Sequence, residues 1–290
     1  KMSIQASELI LNADGSIYHL NLLPEDLAQT VITVGDPERV PKITRHFSKI
    51  EVQKHKREFN IHTGIYKGKR ITVMSTGMGT DNIDIAFTEL DALVNIDFQK
   101  RKVKENLTSL DIIRIGTTGS IQEDIPVDAF LVSELAMGFD GLLHFYQSEQ
   151  FLKEAISEEF IKQTGWSSKK AFPYVVEGSP ELFEKMHSEE TVAGFTATNI
   201  GFYGPQGRVL RLPIPDEKMN EKIAKFNYEG RRITNLEMET SGIYGMSKLL
   251  GHKAISMNAV LANRATGEFT KDPSALADGL IEYTLDRIVS

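Results

Sequence analysis

The stretch of sequence that decides the fold class reads TVITVGDPER and spans residues 30–39. Its first five residues are apolar or β-branched, which is typical of a buried strand, and Gly35 ends the run. Asp36-Pro37 then has the pattern of a helix start, an N-cap followed by proline at the first helical position. Because Pro41 would interrupt a helix that began there, the sequence allows a later start. A buried strand that leads through glycine into a helix predicts an α/β protein.

Strand-like and helix-like patterns alternate along the rest of the chain. Predicted strands cover 61–66, 71–75, 111–116, 129–132, 174–176, 191–193 and 254–261, and predicted helices cover 82–96, 151–162, 237–250 and 273–288. A turn at 67–70 joins two of these strands as a hairpin, so we expect a mixed sheet. No linker, internal repeat or change in composition divides the chain. The prediction is one α/β domain over residues 1–290, with helices flanking a mixed central sheet.

The composition narrows the classes of partner. The chain has 290 residues, of which 41% are hydrophobic, and a formal net charge of -7. Nucleic acids and anionic membranes both attract a basic surface, so we expect neither as a partner. The sequence has no cysteine, no apolar signal stretch near its start and no apolar run long enough to span a membrane. Together these features predict a cytoplasmic protein.

Three arginine-bearing segments predict a local anion pocket on this acidic chain. Arg39 ends the segment GDPER, Arg57 lies in HKREF, and Arg114 begins RIGTTG. An arginine presents a fork of donors to an oxyanion, and glycine lets the backbone approach the ligand closely. In open α/β sheets the ligand binds beyond the carboxyl ends of the strands, where GDPER and RIGTTG both lie.

Each of these patterns also has a plainer explanation. GDPER is also compatible with an ordinary strand-to-helix turn that carries a surface arginine. An unpaired charge in an apolar strand is costly, so Arg114 could instead form a structural pair with Glu239 or Asp36. The segment STGMGTDN, residues 75–82, resembles a turn that lines a phosphate or a sugar, but it lacks the third glycine of a dinucleotide-binding fingerprint. The sequence leaves these alternatives open.

Two further segments suggest sites for a sugar and for a flat ring. Glu237 and Glu239 are two residues apart and point to different sides, so one is expected to face a ligand and the other a helix N-terminus. The alternative is a pair of helix-start carboxylates in solvent. In the loop FYGPQGR, Phe202 can stack on a planar base while Gln206 and Arg208 read its polar edge. The alternative is a surface loop that only connects two elements.

Two other classes of site have no support in the sequence. His19 has no second histidine or carboxylate at a metal-ligand spacing, so we expect no metal site. No Gly-x-Ser-x-Gly elbow occurs, so nothing favours a serine hydrolase.

Taken together, these segments resemble the nucleoside phosphorylase family, which includes uridine phosphorylases and hexameric purine nucleoside phosphorylases. The resemblance runs in order from His19 to Arg264, and its most specific parts are GDPER, RIGTTG and Glu237-Met238-Glu239. It implies a nucleoside phosphorylase fold, which is a single α/β domain built on a mixed, barrel-like sheet. It also implies a homodimer, or a hexamer made as a trimer of dimers, with sites shared between subunits.

The resemblance implies a role for each candidate residue. Phosphate would be bound by Gly35, Arg39, Arg114 and Thr117, together with Arg57 from a neighbouring subunit. The ribose would be held by Met238 and Glu239, together with His19 from the neighbouring subunit. The base would be bound by Thr118, Gly119, Phe202, Gln206 and Arg208. The catalytic residues would be Arg114, Glu239 and Arg208.

Within the family, the loop that carries Phe202 resembles that of the uridine phosphorylases. The implied reaction converts uridine and phosphate to uracil and ribose 1-phosphate, which makes the protein a pentosyltransferase. Where the purine enzymes carry an aspartate that protonates the base, this chain reads LANR at 261–264, without a carboxylate. Purine or broad nucleoside specificity is the main alternative. A nucleosidase that uses water and a non-catalytic nucleoside-binding relative are the other two.

The resemblance implies no cofactor, because phosphate is a co-substrate. The chain departs from the family pattern at 80–82, at 265–268 and in the order of residues in the base loop. These departures leave open the base specificity and the presence of a monovalent cation at the dimer interface.

Overall fold

In the computed structural model, which describes residues 2–290, ten strands join in one sheet and helices pack around it. The ten strands of this sheet are β1 (Thr30–Val34), β2 (Lys49–Lys56), β3 (Phe59–Tyr66), β4 (Lys69–Ser75), β7 (Asp111–Ser120), β8 (Phe130–Gly138), β9 (Tyr174–Glu177), β10 (Thr191–Thr198), β11 (Asn235–Glu237) and β12 (Lys253–Asn263). The short strands β5 (Ile96–Asp97) and β6 (Lys102–Val103) pair with each other in a separate two-stranded sheet. The α-helices are α1 (Arg39–Thr44), α2 (Thr80–Asn95), α3 (Glu154–Thr164), α4 (Pro180–Met186), α5 (Met219–Lys225), α6 (Thr240–Leu250) and α7 (Pro273–Val289). Short 3-10 helices lie at Pro24–Asp26, Leu142–Phe145, Glu149–Phe151 and Gly204–Gln206. No helix within the described residues is long and apolar enough to cross a membrane.

Five strands of the large sheet close into a ring. β7 pairs with β12, β12 with β8, β8 with β10, β10 with β11, and β11 returns to β7. From β7 the sheet continues outward through β1, β4, β3 and β2. β1 is parallel to β4 and β7, whereas β3 is antiparallel to β2 and β4. The predicted α/β fold on a mixed, barrel-like sheet is therefore confirmed.

The centre of the sheet is apolar because its parallel strands are buried on both faces. Ile32 on β1, Ile113 on β7 and Ile255 on β12 lie side by side, each with at most 1% of its surface exposed. Burial of a side chain of this size stabilises the fold by about 1.5–3 kcal/mol. This row fixes the register of three parallel strands, and the residues at their carboxyl ends consequently meet at one place.

The predicted helix 237–250 is wrong at its start. Residues Asn235–Glu237 form the strand β11, which pairs with β10 on one side and with β7 on the other. The helix α6 begins at Thr240, and Gly251 follows it with a left-handed φ of 80°, as its sequence position predicts. Three residues are too few to show a strand pattern in the sequence. β11 forms because it pairs with two strands that are distant along the chain.

The first helix also begins later than the pattern Asp36-Pro37 predicts. α1 starts at Arg39, so Pro41 falls in its first turn. A proline there removes no intrahelical hydrogen bond, because the first N–H groups of a helix have no intrahelical acceptor.

Several other elements differ from the sequence prediction. β2, with the sequence KIEVQKHK, is missing from the prediction because it is a polar strand at the edge of the sheet. The seven-residue helices α4 and α5 are also absent from it. The strands predicted at 111–116, 129–132 and 191–193 continue to Ser120, Gly138 and Thr198, so the segment RIGTTG lies within β7 and not beyond its end. The helix predicted at 151–162 begins at Glu154.

Candidate active site

A cavity of about 530 Å³ opens beside the carboxyl ends of β1, β4 and β7. Its size suits a small organic ligand. Eleven of the thirteen predicted site residues line it: Gly35, Arg39, Arg114, Thr117, Thr118, Gly119, Phe202, Gln206, Arg208, Met238 and Glu239. The cavity therefore collects segments that are widely separated in the sequence.

Two glycine turns form one wall of this cavity. The turn after β4 is joined to the turn after β1, because the N–H of Gly77 donates to the carbonyl oxygen of Gly35 at 3.0 Å. Gly77 and Gly79 have φ values of 71° and 92°, which residues with a side chain rarely adopt. The second of these conformations aims the N–H of Gly79 at the Oε2 atom of Glu239, 3.0 Å away.

Arg114 is buried against this wall, with 5% of its surface exposed. Its Nη1 donates to Asn258 Oδ1 at 2.8 Å, and its Nη2 donates to Glu239 Oε1 at 3.2 Å. Nη2 also lies 3.5 Å from Glu237 Oε2. The structural pair with Glu239, which the sequence left open, is therefore present, and the same guanidinium also borders the cavity.

Gly116 provides the space for that guanidinium. A Cβ atom at this position would lie 2.3 Å from both Cζ and Nη1 of Arg114. This position requires glycine because there is no room for a side chain. Backbone conformation is not the reason, since the φ of Gly116 is not in the left-handed region.

Arg39 is the second cation in the cavity, and its surroundings differ from those of Arg114. Burial lowers the pKa of the Arg39 guanidinium, and the nearby positive charge of Arg114 lowers it further. Its Nη1 donates to the carbonyl oxygen of Ile115 at 3.4 Å, and it forms no ion pair with a carboxylate of residues 2–290. A desolvated arginine without a carboxylate partner, beside a second arginine, is a favourable place for an anion.

Glu237 and Glu239 are both buried, which excludes the alternative of solvent-exposed helix-start carboxylates. Glu237 accepts hydrogen bonds from the N–H groups of Glu239 and Thr240, at 2.6 Å and 2.9 Å, and from the hydroxyl of Thr198. It therefore caps α6. Burial raises the pKa of Glu239, against the opposing effect of Arg114. Both residues line the cavity, but each oxygen of Glu239 accepts only one hydrogen bond from the described residues, so Glu239 is the one with lone pairs left for a ligand.

The base loop, residues 202–208, forms another part of the cavity wall. Arg208 donates from Nη1 to Gln206 Oε1 at 3.0 Å, and its Cζ lies 3.8 Å from the centre of the Phe202 ring. One face of Phe202 is thus covered by a guanidinium. The amide nitrogen of Gln206 donates to the carbonyl oxygen of Gly201 at 3.0 Å, so one of its two N–H groups remains.

The two threonines of β7 have different surroundings. Thr118 donates to the carbonyl oxygen of Leu236 at 2.7 Å and accepts from Asn235 Nδ2 at 2.9 Å, so its hydroxyl joins β7 to β11. Thr117 lines the cavity and its hydroxyl bonds to no other described side chain or carbonyl group. Thr117 can therefore donate to a ligand, whereas the hydroxyl proton of Thr118 is already used.

Two predicted residues, His19 and Arg57, lie outside the cavity of their own chain. His19 Nδ1 lies 2.5 Å from Glu89 Oε2, and the N–H of His19 donates to the other oxygen of Glu89. Arg57 is exposed at the turn between β2 and β3, with φ 53°. Their predicted roles in the site of a neighbouring subunit stay predictions.

The cavity also contains apolar residues that were not among the predicted site residues, namely Pro37, Met78, Leu236, Leu261, Ala262 and Phe269. Met78 lies in the turn STGMGTDN, which was a recognisable signal. Phe269 reaches the mouth because Ala262 and Phe269 form an isolated β-bridge, which no local pattern indicates. Within residues 2–290, no group of three His, Cys, Asp or Glu side chains is arranged to hold a metal ion.

The end of β12 contributes no carboxylate to the cavity. Asn263 is buried, and its Nδ2 donates to the carbonyl oxygens of Gln122 and Ile125. Its Oδ1 accepts from the N–H of Ala265, so the amide holds the following turn. Arg264 donates from Nη1 to the carbonyl oxygen of Gln206 at 3.0 Å and thereby supports the base loop.

The fold, the family match and the relatives given below identify the chain as a pentosyltransferase of the nucleoside phosphorylase class. The chain belongs to the Phosphorylase superfamily, whose family model matches residues 29–283.

Individual relatives agree with this assignment. The chain is 31% identical over 259 residues to a uridine phosphorylase of Thermococcus kodakarensis, covering 89% of this chain and 81% of the relative. It is 27% identical to a DeoD-type purine nucleoside phosphorylase of Colwellia psychrerythraea, covering 93% of this chain and 98% of the relative. A crystal structure of a Trypanosoma brucei nucleoside phosphorylase, described as showing uridine phosphorylase activity, superposes with a TM-score of 0.87 at 30% identity and covers 97% of this chain and 99% of the other.

Proposed function

We propose that this protein catalyses the phosphate-dependent cleavage of uridine to uracil and ribose 1-phosphate. The observation that carries the proposal is that one cavity is lined by Arg39 and Arg114, by Glu239, and by the loop with Gln206 and Arg208. These groups suit a phosphate, a ribose and the polar edge of a base, in that order. The uridine phosphorylase named among the relatives, and the activity named for the Trypanosoma structure, support the choice of uridine.

In the proposed complex, the phosphate, the ribose and the base lie along the cavity in the direction of β7. Arg114 lies near the middle of this strand, and Gly119 lies near its end, next to the side chain of Arg264, which supports the base loop. Five residues of strand span about 16 Å. Phosphate would lie at the Arg114 end and uracil at the Gly119 end, with the ribose against Glu239 and Met238 between them.

In the proposed reaction an oxygen of phosphate forms a bond to C1′ while the bond between C1′ and the base nitrogen breaks. The electron pair of the broken bond leaves with uracil. Arg208 and Gln206 stabilise the resulting negative charge until the ring takes a proton from solvent. Arg39, Arg114 and Thr117 hold the nucleophile in place. Positioning and electrostatic stabilisation carry the catalysis, and no covalent enzyme intermediate or cofactor is part of the proposal.

A purine or broad specificity is the main competing proposal, and the purine nucleoside phosphorylase among the relatives supports it. A purine leaving group benefits from a general acid at the base. The side chain of Asn263 is held by backbone groups, and the neighbouring cavity residues Leu261 and Ala262 are apolar. We therefore favour uracil, which can leave as an anion near Arg208.

A panel of nucleosides assayed with and without phosphate tests the proposal. A site built around the polar edge of uracil leaves donors unpaired when the base lacks the matching acceptor. We expect rapid release of uracil from uridine, slower cleavage of thymidine, and almost no cleavage of cytidine or adenosine. The cleavage of uridine and thymidine should require phosphate. Faster turnover of inosine or adenosine than of uridine would show that the base assignment is wrong. Turnover that is independent of phosphate would identify a nucleosidase instead.

We also propose that His19 and Arg57 complete the site of a neighbouring subunit in a homodimer or a hexamer. Both lie outside their own cavity, which supports this arrangement. Glu89 binds the Nδ1 atom of His19, so Nε2 is the ring nitrogen that remains for a sugar hydroxyl.

The variant Gly116→Ala replaces no charged residue, yet we expect it to weaken the use of phosphate. In Gly116→Ala the new carbon would occupy the position of the Arg114 guanidinium, which must then move. Loss of one well-placed donor to a developing charge costs about 10²–10³ in rate. We expect a fall of this order in kcat/KM for phosphate, measured by initial rates at saturating uridine.

Gly279→Ala is the matched control for this change. Gly279 lies in α7, outside the cavity, and its added carbon would meet the Phe130 ring at 3.3 Å. Its rates are expected to match those of the unaltered protein. Normal phosphate kinetics in Gly116→Ala would contradict the assignment of Arg114 to the phosphate site.

A further inference from the structure

A second cavity, of about 480 Å³, lies behind the base loop. Its apolar wall comprises Phe139, Trp166, Ile200, Pro205, Ile214, Met219 and Ile223. Phe139 and Trp166 stack with their ring centres 4.4 Å apart, so one part of this wall is a rigid aromatic surface. Its volume falls within the range of small-molecule sites, and its lining is mostly apolar with a few polar groups, as in such sites.

The base loop separates this cavity from the active-site cavity. Phe202, Gln206 and Arg208 line the active-site cavity, whereas Gly204, Pro205 and Gly207 line the second cavity. The two cavities therefore share a wall only a few residues thick.

The floor of the second cavity is packed directly against this loop. Asn220 on α5 lines the cavity, and its Nδ2 donates to the carbonyl oxygen of Gln206 at 2.9 Å. Gly207 has a φ of 76°, and a Cβ atom there would lie 2.6 Å from Asn220 Nδ2. A molecule in the second cavity would thus contact the loop that carries the proposed base-binding side chains.

Two lysines on the cavity wall are available to bind an anion. Lys169 and Lys170 border the cavity, and neither ammonium group forms an ion pair or hydrogen bond within residues 2–290. Lys170 instead lies over the Trp166 ring, 4.4 Å from its centre. The two acidic residues of the wall already have partners.

Those partners are a lysine, two hydroxyl groups and the backbone N–H groups of Leu142 and Lys218. Asp216 is bound by Lys222 at 2.6 Å. Asp140 accepts hydrogen bonds from the hydroxyls of Tyr174 and Ser241. Lys222 offsets the charge of Asp216, and neutral donors occupy the oxygens of Asp140, so the two lysines are the charged groups of the wall without hydrogen-bond partners among the described residues.

We propose that this second cavity is a separate binding site for a flat aromatic molecule that carries a negatively charged group. The ring would pack among the apolar side chains beside Trp166, and the anionic group would lie at the rim against Lys169 and Lys170. The site is distinct from the proposed site for the nucleoside and phosphate, and its occupant would contact the back of the base loop. This inference does not depend on the reaction proposed above.

The aromatic sulfonate anilinonaphthalene sulfonate, a fluorescent dye, is a suitable probe. The chain contains one tryptophan, Trp166, which lines this cavity, so energy transfer from tryptophan reports on dye bound in this cavity or close to it. Competition with uracil and phosphate distinguishes this cavity from the active-site cavity beside it. We expect saturable energy transfer at low ionic strength. The signal should persist when uracil and phosphate are present at saturating concentrations, because they would fill the other cavity.

The rim lysines provide the decisive comparison. Reversal of both charges in K169E/K170E is expected to weaken dye binding by about tenfold, since each exposed charge contributes modestly. The control K104E/K162E makes the same change in net charge at two exposed lysines outside the cavity, and we expect less than about a twofold effect. Equal weakening in both double variants, or complete displacement of the dye by uracil and phosphate, would overturn the proposal. The lysine comparison remains valid even if uridine proves not to be the substrate.

Discussion

Replacement of Arg114 with alanine is expected to lower turnover by about 10²–10³-fold and to raise the phosphate concentration needed for half-maximal rate. The guanidinium borders the cavity and is 5% exposed, so its charge acts in a desolvated site. The same change leaves Glu239 and Glu237 buried without their cation. Removing one partner of a buried pair costs up to about 3–5 kcal/mol, so we also expect a lower free energy of unfolding. Initial rates against phosphate and urea denaturation measure the two effects.

Arg39→Ala separates the effect on phosphate from the effect on stability. Arg39 lines the same cavity but forms no ion pair with a carboxylate of the described chain. We expect a similar weakening of phosphate use with little change in the free energy of unfolding. If Arg114→Ala lost stability but kept normal phosphate kinetics, Arg114 would be only a structural partner of Glu239, which is the alternative that the sequence left open.

Replacement of Glu239 with glutamine is expected to weaken binding and turnover of uridine by about 10–100-fold, because hydrogen bonds to charged groups contribute about 1.5–3 kcal/mol. One carboxylate oxygen accepts from Arg114 and the other from the N–H of Gly79, and each keeps a lone pair for a sugar hydroxyl. The loss should be smaller for 2′-deoxyuridine, which lacks one of the hydroxyls. The comparison requires kcat/KM for both nucleosides at saturating phosphate.

Glu237→Gln is the matched control for Glu239→Gln. Its carboxylate accepts hydrogen bonds from Thr198, Glu239 and Thr240, all of which hold the start of α6. We expect a loss of stability and an equal effect on uridine and 2′-deoxyuridine. An equal effect of Glu239→Gln on the two nucleosides would place Glu239 away from the 2′-hydroxyl.

The local patterns of the sequence were sufficient to identify most of the elements and the cavity segments. The apolar run at 30–34 and its glycine form β1 and the turn after it, because a strand buried on both faces must be apolar throughout its length. The segments around Arg114 and Phe202 were recognisable because glycines stand beside arginine, hydroxyl and aromatic side chains, but the same patterns also allowed purely structural explanations. Polar and very short elements such as β2 and β11 had no comparable signal.

The sequence by itself determined which residue types are present: one arginine just after a strand and one within a strand, two neighbouring glutamates, and a glycine-rich aromatic loop. Only the tertiary structure decided which of these residues support the fold and which line the cavity with groups free for a ligand. Arg114 and Glu239 are 125 residues apart and meet because β11 closes the ring onto β7. That closure makes Glu237 a helix cap and leaves Glu239 for the cavity. Contacts between such distant segments depend on strand pairing and side-chain packing, which local patterns do not encode.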